Sequence, residues 1–383
     1  MFDIPLAWLQ LSREKIRLLV ALAGIAFAVI LMFMQLGFQA ALYNSATRFH
    51  QSLQADLVLI NASSKSLAFM KTFSWRRLYQ TLGFDGVESI SPVYVGFKEW
   101  KNPENGSLRI IYIYGFEPVN SVFKLSGVAE NIDELRLNEN ILFDRASRRE
   151  YGAIAQQFEQ GKSITTELGG KKVNVVGLFT LGPSFGADGN VILSDSNFLR
   201  LFTDRTLGEI DIGLIQLKPG VDAQKVMKRI EASLPQDVRV FTHQGFVDFE
   251  KNYWKTSTAI GFIFTLGVGM GFIVGTVIVY QILYSDVSEH LAEYATLKAM
   301  GYQNSYLLFI VFQEAILLAF LGYIPGFSLS LGLYDLTKNA TFLPLAMSFD
   351  RALIVLILTI AMCAISGTIA MRRLRQADPA DIF

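Results

Sequence analysis

The chain has 383 residues with 34 acidic and 34 basic side chains, so its formal net charge is zero. That balance argues against a nucleic-acid-binding surface, which needs an excess of positive charge. Hydrophobic residues make up 51% of the chain while 18% are charged, a combination that indicates membrane-spanning segments joined to a large part in water.

Residues 1–17 are typical of a cytoplasmic interfacial helix. Apolar side chains recur there at the spacing of one helix face: Ile4, Trp8 and Leu11. A basic cluster ending at Arg17 follows, and such clusters stay in the cytoplasm under the positive-inside rule. The next uncharged run predicts a first transmembrane helix over 18–42, because it is too long for the apolar part of a cleaved signal peptide.

Residues 43–255 have a different composition, in which charges return and short β-rich runs dominate. A strand–helix–strand order occurs in about 55–116 and again in about 208–245, where it indicates a compact βαβ unit. We therefore expect one α/β subdomain split by an inserted, β-rich lobe at about 117–207. With the N-terminus inside, a single span places this whole region on the outer, periplasmic side of the membrane.

Two helices are predicted within this region. Ser74 would cap the first, which presents an apolar face made of Trp75, Leu78, Tyr79 and Leu82. Asp222 would cap the second, whose apolar residues recur at helical spacing: Val226, Met227, Ile230 and Leu234.

The last third of the chain holds three more apolar runs. They predict transmembrane helices over 256–284, 305–334 and 351–371, a cytoplasmic segment at 285–304, an external loop at 335–350 and a cytoplasmic tail at 372–383. Positive clusters at both ends of the chain place both termini in the cytoplasm. The predicted fold class is an α-helical membrane protein with four transmembrane helices and a large, mixed α/β periplasmic domain between the first and second.

Glycines recur every four residues in the second predicted span, at Gly267, Gly271 and Gly275. Such a ridge lets another helix approach closely, although glycine is also simply common in membrane helices. Gly24 and Ala28 in the first span offer a matching surface. The spacing predicts helix packing, within one chain or between two copies.

The segment after the second span predicts an amphipathic helix with a mostly acidic polar stripe: Asp286, Glu289, His290 and Glu293. Anionic lipid would repel that stripe, which favours a protein partner over the headgroup surface. Gly301 can end the helix in a left-handed conformation. The predicted partner-coupling residues are Val287, Leu291, Glu293, Tyr294, Leu297, Lys298 and Gly301.

Glu314 is an acid inside the third predicted span. Intramembrane carboxylates are functional by default, but this one lies near the cytoplasmic end, where a structural tie to a neighbouring helix or loop is equally expected. A proton relay would need a second intramembrane charge, which the sequence does not reveal.

No catalytic, cofactor or metal motif is visible. The stretch Gly161-Lys162-Ser163 lacks the first glycine of a phosphate loop, and the three histidines are scattered. We therefore expect a non-enzymatic chain without a cofactor or metal.

Several segments resemble MacB/FtsX-type (type VII) ABC transporter permeases over essentially the whole chain. They are the run from Leu6 to Arg17, the stretch from Glu293 to Gly301 with Gln313-Glu314 and Gly322 to Gly326 beyond it, and the ending from Arg375 to Phe383. Within this family the chain is most similar to the DevC-type permease of cyanobacterial exporters.

The resemblance implies a homodimer in the cell inner membrane, in contact with lipid, with each copy docking a separate cytoplasmic ABC ATPase through the segment after the second span. It also implies a periplasmic membrane-fusion adaptor, a TolC-like outer-membrane duct and export of a substrate, with a glycolipid as a candidate. Two alternatives stay open: an FtsX-like transmembrane regulator of a periplasmic cell-wall hydrolase, and a lipoprotein-releasing permease.

Overall fold

The computed structural model describes residues 15–119, 121–290, 296 and 300–376. These residues form two compact units. The helical unit comprises residues 15–41, 259–340 and 345–376, and the α/β unit comprises residues 42–258 and 341–344. Most of the predicted interfacial helix lies outside the described residues.

The elements are numbered in chain order. The helices are α1 (Lys15–Ser52), α2 (Trp75–Gln80), α3 (Ile132–Leu135), α4 (Ile154–Glu159), α5 (Asp195–Leu201), α6 (Ala223–Ser233), α7 (His243–Asn252), α8 (Ala259–Glu289), α9 (Asn304–Thr341) and α10 (Phe349–Gln376). The strands are β1 (Leu57–Asn61), β2 (Phe73–Ser74), β3 (Val87–Lys101), β4 (Leu108–Phe116), β5 (Asn140–Asp144), β6 (Ile164–Leu168), β7 (Lys171–Phe179), β8 (Asn190–Ser194), β9 (Glu209–Ile210), β10 (Ile212–Leu217) and β11 (Val238–Thr242).

Four helices, α1, α8, α9 and α10, are long and apolar enough to cross a membrane. They flank a mixed α/β unit in the chain, so the predicted fold class is confirmed. The helices also extend beyond the apolar runs. For example, α1 continues ten residues past the predicted end of the first span.

Two of the four covalent connections between the units, those at 41/42 and 258/259, differ in local structure. α1 has no break, and its residues up to Ala41 belong to the helical unit while those from Leu42 belong to the α/β unit. Before α8, by contrast, a π-helical turn at Tyr253–Ser257 ends at Thr258, whose backbone is extended (φ −119°, ψ 147°). The boundary between the units therefore falls inside a helix at one connection and at a helix break at the other.

The main sheet of the α/β unit has nine strands in the order β11-β1-β10-β3-β4-β8-β5-β7-β6. Strand β1 is antiparallel to both β10 and β11, and β10 is antiparallel to both β1 and β3. The units β1–α2–β3 and β10–α6–β11 are therefore split βαβ units that interlock, as in ferredoxin-like folds. The expectation that β10 and β11 form a compact βαβ unit needs this correction: β1 lies between them and pairs with both.

The segment predicted as an inserted lobe, about 117–207, joins the same sheet through the parallel pairing of β8 with β4. Strand β3 is long enough, at 15 residues, to pair with β10 along its first half and with β4 along its second half. Near the end of β3, Trp100 also pairs with Leu168 of β6. This pairing closes the six strands from β3 to β8 into a ring.

Both faces of the sheet are covered. In β1, Leu57 and Leu59 belong to one buried cluster, whereas Val58 and Ile60 belong to the other. Successive side chains of a strand point to opposite faces, so this alternation requires an apolar layer on each side. The run of apolar residues without polar alternation follows from that double burial.

The two predicted helix caps have different outcomes. The Asp222 carboxylate accepts hydrogen bonds from the backbone N–H groups of Gln224 (2.9 Å) and Lys225 (3.3 Å), which confirms the cap of α6. Ser74 precedes α2 but makes no side-chain cap bond, so that prediction is wrong. The predicted apolar face of α2 is also incomplete, because only Leu78 is buried while Trp75 is 45% exposed.

This difference gives a matched test. Replacing Asp222 with alanine is expected to lower the free energy of unfolding by about 1 kcal/mol, because two N–H groups at the start of α6 lose their acceptor. Ser74→Ala should leave the free energy of unfolding unchanged. Chemical denaturation of the full-length protein would measure both, and equal losses in the two variants would contradict the assignment.

Candidate functional site

The predicted partner-coupling residues fall at and beyond the end of α8. Leu291, Glu293, Tyr294, Leu297 and Lys298 lie outside the described residues. Of the remaining two, Val287 is 2% exposed within the helical unit, so its side chain contributes to packing inside the chain. Gly301 has a φ of +94°, the left-handed conformation in which glycine ends helices without strain.

The last two turns of α8 contact the start of α1 through Arg17. Its guanidinium Nη1 lies 3.7 Å from Asp286 Oδ1, and its Nη2 donates to Glu289 and to Ser285 Oγ (3.3 Å). Sequence analysis assigned Arg17 to a basic cluster at the membrane surface. In the structure it is the centre of an ion-pair group that joins two helices.

Glu314 belongs to the same group. Its side chain is fully buried in α9 and lies close to the carboxyl group of Asp286, which is 6% exposed. Asp286 also faces His290, whose Nδ1 lies 3.6 Å from Asp286 Oδ1. Periodicity placed Asp286 on the polar stripe of a cytoplasmic helix, whereas in the structure it lies beside Glu314 and Arg17. The polar stripe predicted for the amphipathic helix therefore includes at least one residue, Asp286, that is buried within the helical unit.

The glycine ridge of α8 lies against α1. A Cβ placed on Gly271 would be 3.4 Å from the Cβ of Leu31, and one on Gly267 would be 2.7 Å from Gln35 Oε1. At Gly275 an added Cβ would overlap the sulfur of Met362 in α10 and would lie only 2.7 Å from the Cβ of Ala28. These contacts are within one chain.

Glycines of α1 and α9 also receive large side chains from a neighbouring helix. Gly24 of α1 receives Ile278 of α8, and a Cβ on Gly24 would lie 3.8 Å from the Cβ of Ile278. Gly322 of α9, near Pro325, receives Ile25 of α1. Because small and large side chains interlock on both partners, α1 is held at close range by α8 and α9.

The α/β unit contains a separate buried polar centre at Asp144, the last residue of β5. Its carboxylate is fully buried and accepts hydrogen bonds from the backbone N–H groups of Ala146 (3.0 Å), Leu181 (3.0 Å) and Gly182 (2.7 Å), and from Asn190 Nδ2 (2.8 Å). Burial raises the pKa of Asp144, and the four donors oppose that shift. This centre holds the loop after β7 against the start of β8.

Neither polar centre has the composition of a metal site. Within the part of the chain that the structure describes, no three His, Cys, Asp or Glu side chains are grouped so that they could hold a metal ion. The group at Arg17 pairs its acids with a cation instead, and the Asp144 carboxylate is occupied by N–H donors. Both arrangements are suited to holding segments of chain together.

Comparison with known proteins gives two family matches. The MacB-like periplasmic core domain matches residues 18–233, which is more than half of the chain. The FtsX-like permease C-terminal domain matches residues 265–379. That range includes Asp286, Glu289 and Glu314, the acids grouped around Arg17. Among curated proteins, none matches the chain.

Three solved structures that are similar to parts of this chain have low sequence identity to it. They include the periplasmic region of MacB from Actinobacillus actinomycetemcomitans, with 12% identity, a TM-score of 0.37 and coverage of 54% of this chain and 96% of that one. The extracellular domain of the noncanonic ABC-type transporter YknZ from Gram-positive bacteria has 14% identity, a TM-score of 0.34 and coverage of 49% and 100%. A domain of a putative permease from Porphyromonas gingivalis has 16% identity, a TM-score of 0.30 and coverage of 48% and 87%.

Proposed function

This chain belongs to the family of ABC transporter permeases that have a MacB-like periplasmic core domain and an FtsX-like C-terminal domain, and from this premise we propose that it transmits ATP-driven motion to its α/β unit. The family implies an ABC ATPase as partner and often a dimer of permeases. ATP would be hydrolysed by the partner, and the permease itself would catalyse no reaction.

The observation that carries the proposal is the unbroken course of α1. Its 38 residues correspond to about 57 Å of helix, well beyond the roughly 30 Å of bilayer hydrocarbon. A continuous helix resists bending, since every turn is fixed by its own hydrogen bonds. Displacement of α1 in the membrane would therefore be carried into the α/β unit, to which its last residues belong.

The orientation and the further partners are also part of the proposal. The two positive clusters favour cytoplasmic termini and a periplasmic α/β unit in the inner membrane. A unit of more than two hundred residues is large enough to bind a membrane-fusion adaptor, which would connect it to a TolC-like duct for export. We propose a glycolipid as the substrate on the DevC-type resemblance alone.

The ATPase contact would lie in the cytoplasmic segment 285–304, with Leu297 and Glu293 as contact residues and Gly301 as the helix end. Leu297→Arg places a charge on a predicted contact residue, and it is expected to reduce co-purification of the ATPase at least tenfold, or about 1.4 kcal/mol. Leu207→Arg is the matched control, because Leu207 lies in the α/β unit and is 82% exposed. Undiminished co-purification with Leu297→Arg would refute the assigned contact.

Capture of external partners separates this function from its alternatives. Cross-linking in intact cells followed by isolation of the permease should recover an adaptor protein together with the ATPase. Recovery of a cell-wall hydrolase instead would favour an FtsX-like regulator, and recovery of a lipoprotein carrier would favour a lipoprotein-releasing permease.

A further inference from the structure

Arg17 connects α1 with α8. It lies in the first turn of α1 and contacts Ser285, Asp286 and Glu289, which occupy the last two turns of α8. The cytoplasmic segment proposed to bind the ATPase begins at these same turns. Arg17 therefore joins α1 to the end of α8 at the place where force from an ATPase would enter the chain.

The contact of Arg17 with Asp286 involves a buried carboxylate. Asp286 and Glu314 are both almost fully buried, and a buried carboxylate that loses its cation is destabilised. The guanidinium group contacts Asp286 and Glu289 with different nitrogens, so the two contacts also fix its orientation. Separation of α1 from α8 at this end would break the contacts of Arg17 with Asp286, Glu289 and Ser285.

Small residues lie next along both helices. Two turns beyond Arg17, Ile278 packs over Gly24, and one turn further Gly275 faces Ala28. Interlocked side chains of this kind resist sliding of one helix along another, but they have no directional bond that prevents separation. The ion-pair group supplies that bond at the end of the pair.

We propose that Arg17 is a positioning residue that ties α1 to the end of α8, so that displacement of the segment after α8 moves both helices together. This inference rests on the proposed function and adds to it the residue through which α1 is engaged. Asp286 and Glu289 of α8 define where Arg17 lies, and Arg17 in turn sets the position of α1.

A disulfide pair can report on the contact. The Cβ positions of residues 24 and 278 are 3.8 Å apart, which is the usual Cβ separation in a disulfide. Gly24→Cys with Ile278→Cys, in a Cys363→Ala background, would be oxidised in the permease–ATPase complex with and without ATP and vanadate. With Arg17 present, the cross-linking rate should be the same in both conditions, because the helices move together.

In Arg17→Gln, ATP should slow cross-linking by about fivefold, the factor that about 1 kcal/mol produces. Arg17→Lys keeps the charge but cannot contact two acids with separate nitrogens of one planar group, so ATP should slow its cross-linking less than that of Arg17→Gln. Arg17→Lys replaces Arg17→Gln in the test if Arg17→Gln does not fold. Lys15→Gln removes a neighbouring charge and should behave like the parent.

A second cysteine pair controls for general loosening. Gly367→Cys with Ala315→Cys bridges α9 and α10, where the Cβ separation is 3.4 Å, and Arg17→Gln should leave its rate unchanged. The inference is overturned if ATP slows the Gly24/Ile278 cross-link in the parent, or if Arg17→Gln is insensitive to ATP while the ATPase is bound. Failure of the ATPase to co-purify with the parent would overturn the proposed function and this inference with it.

Discussion

Replacing Gly275 with valine is expected to lower the free energy of unfolding of the helical unit by about 3 kcal/mol or more. The added Cβ would lie 2.7 Å from the Cβ of Ala28, a separation that real Cβ atoms do not adopt, and it would also overlap the sulfur of Met362. The Met362 side chain can move, but Ala28 is attached directly to the backbone of α1. The helices must therefore separate, and the packing of both is lost.

Gly269→Val is the matched control for this prediction. Gly269 lies in the same helix, is exposed, and an added Cβ there would meet nothing within 4 Å. Thermal unfolding in detergent should show a large decrease for Gly275→Val and little change for Gly269→Val. Adding Ala28→Gly to Gly275→Val should recover part of the loss. Equal stability of the two valine variants would show that the ridge is not a packing surface.

Removing the Asp144 carboxylate should strongly destabilise the α/β unit. In Asp144→Ala, three backbone N–H groups and the Asn190 amide lose their buried acceptor, which is expected to cost about 3 kcal/mol or more. Asp144→Asn keeps the shape but places an NH₂ group against N–H donors, so a smaller loss is expected. Urea denaturation followed by circular dichroism would measure both variants.

Asp133→Ala serves as the comparison for Asp144→Ala. The Asp133 side chain is 90% exposed and pairs with Arg136 one turn along the chain. Its removal should change the free energy of unfolding by less than about 0.5 kcal/mol. If Asp144→Ala were as mild as Asp133→Ala, the hydrogen bonds to Asp144 would not be holding the loop after β7.

The sequence predicts much of the fold because the relevant signals are local. Four apolar runs longer than the bilayer indicate four helices, and Asp222 before a helical pattern indicates a cap, since both depend on neighbouring residues. The ridge at Gly267, Gly271 and Gly275 is visible for the same reason. Helix α2 is the exception: with six residues it is too short for its periodicity to show which side is buried.

The contacts of the candidate site could not be predicted, because they join distant parts of the chain. Arg17 and Glu289 are 272 residues apart, and nothing in either neighbourhood points to the other. The sequence predicts Val287 as a partner-coupling residue, but it cannot tell whether a partner or the chain itself covers that side chain. Asp144 ends an apolar strand, where an acid is usually exposed. Its burial depends on the loop at Leu181 and Gly182.

The contrast between α1 and the chain at Thr258 has a consequence for how the protein could work. A stiff rod transmits torque about its own axis, whereas a chain with an extended residue between two helices can swivel there. In the proposed function, a rotation of α1 about its axis would reach its last residues, Leu42 to Ser52, whereas a rotation of α8 would be taken up at Thr258.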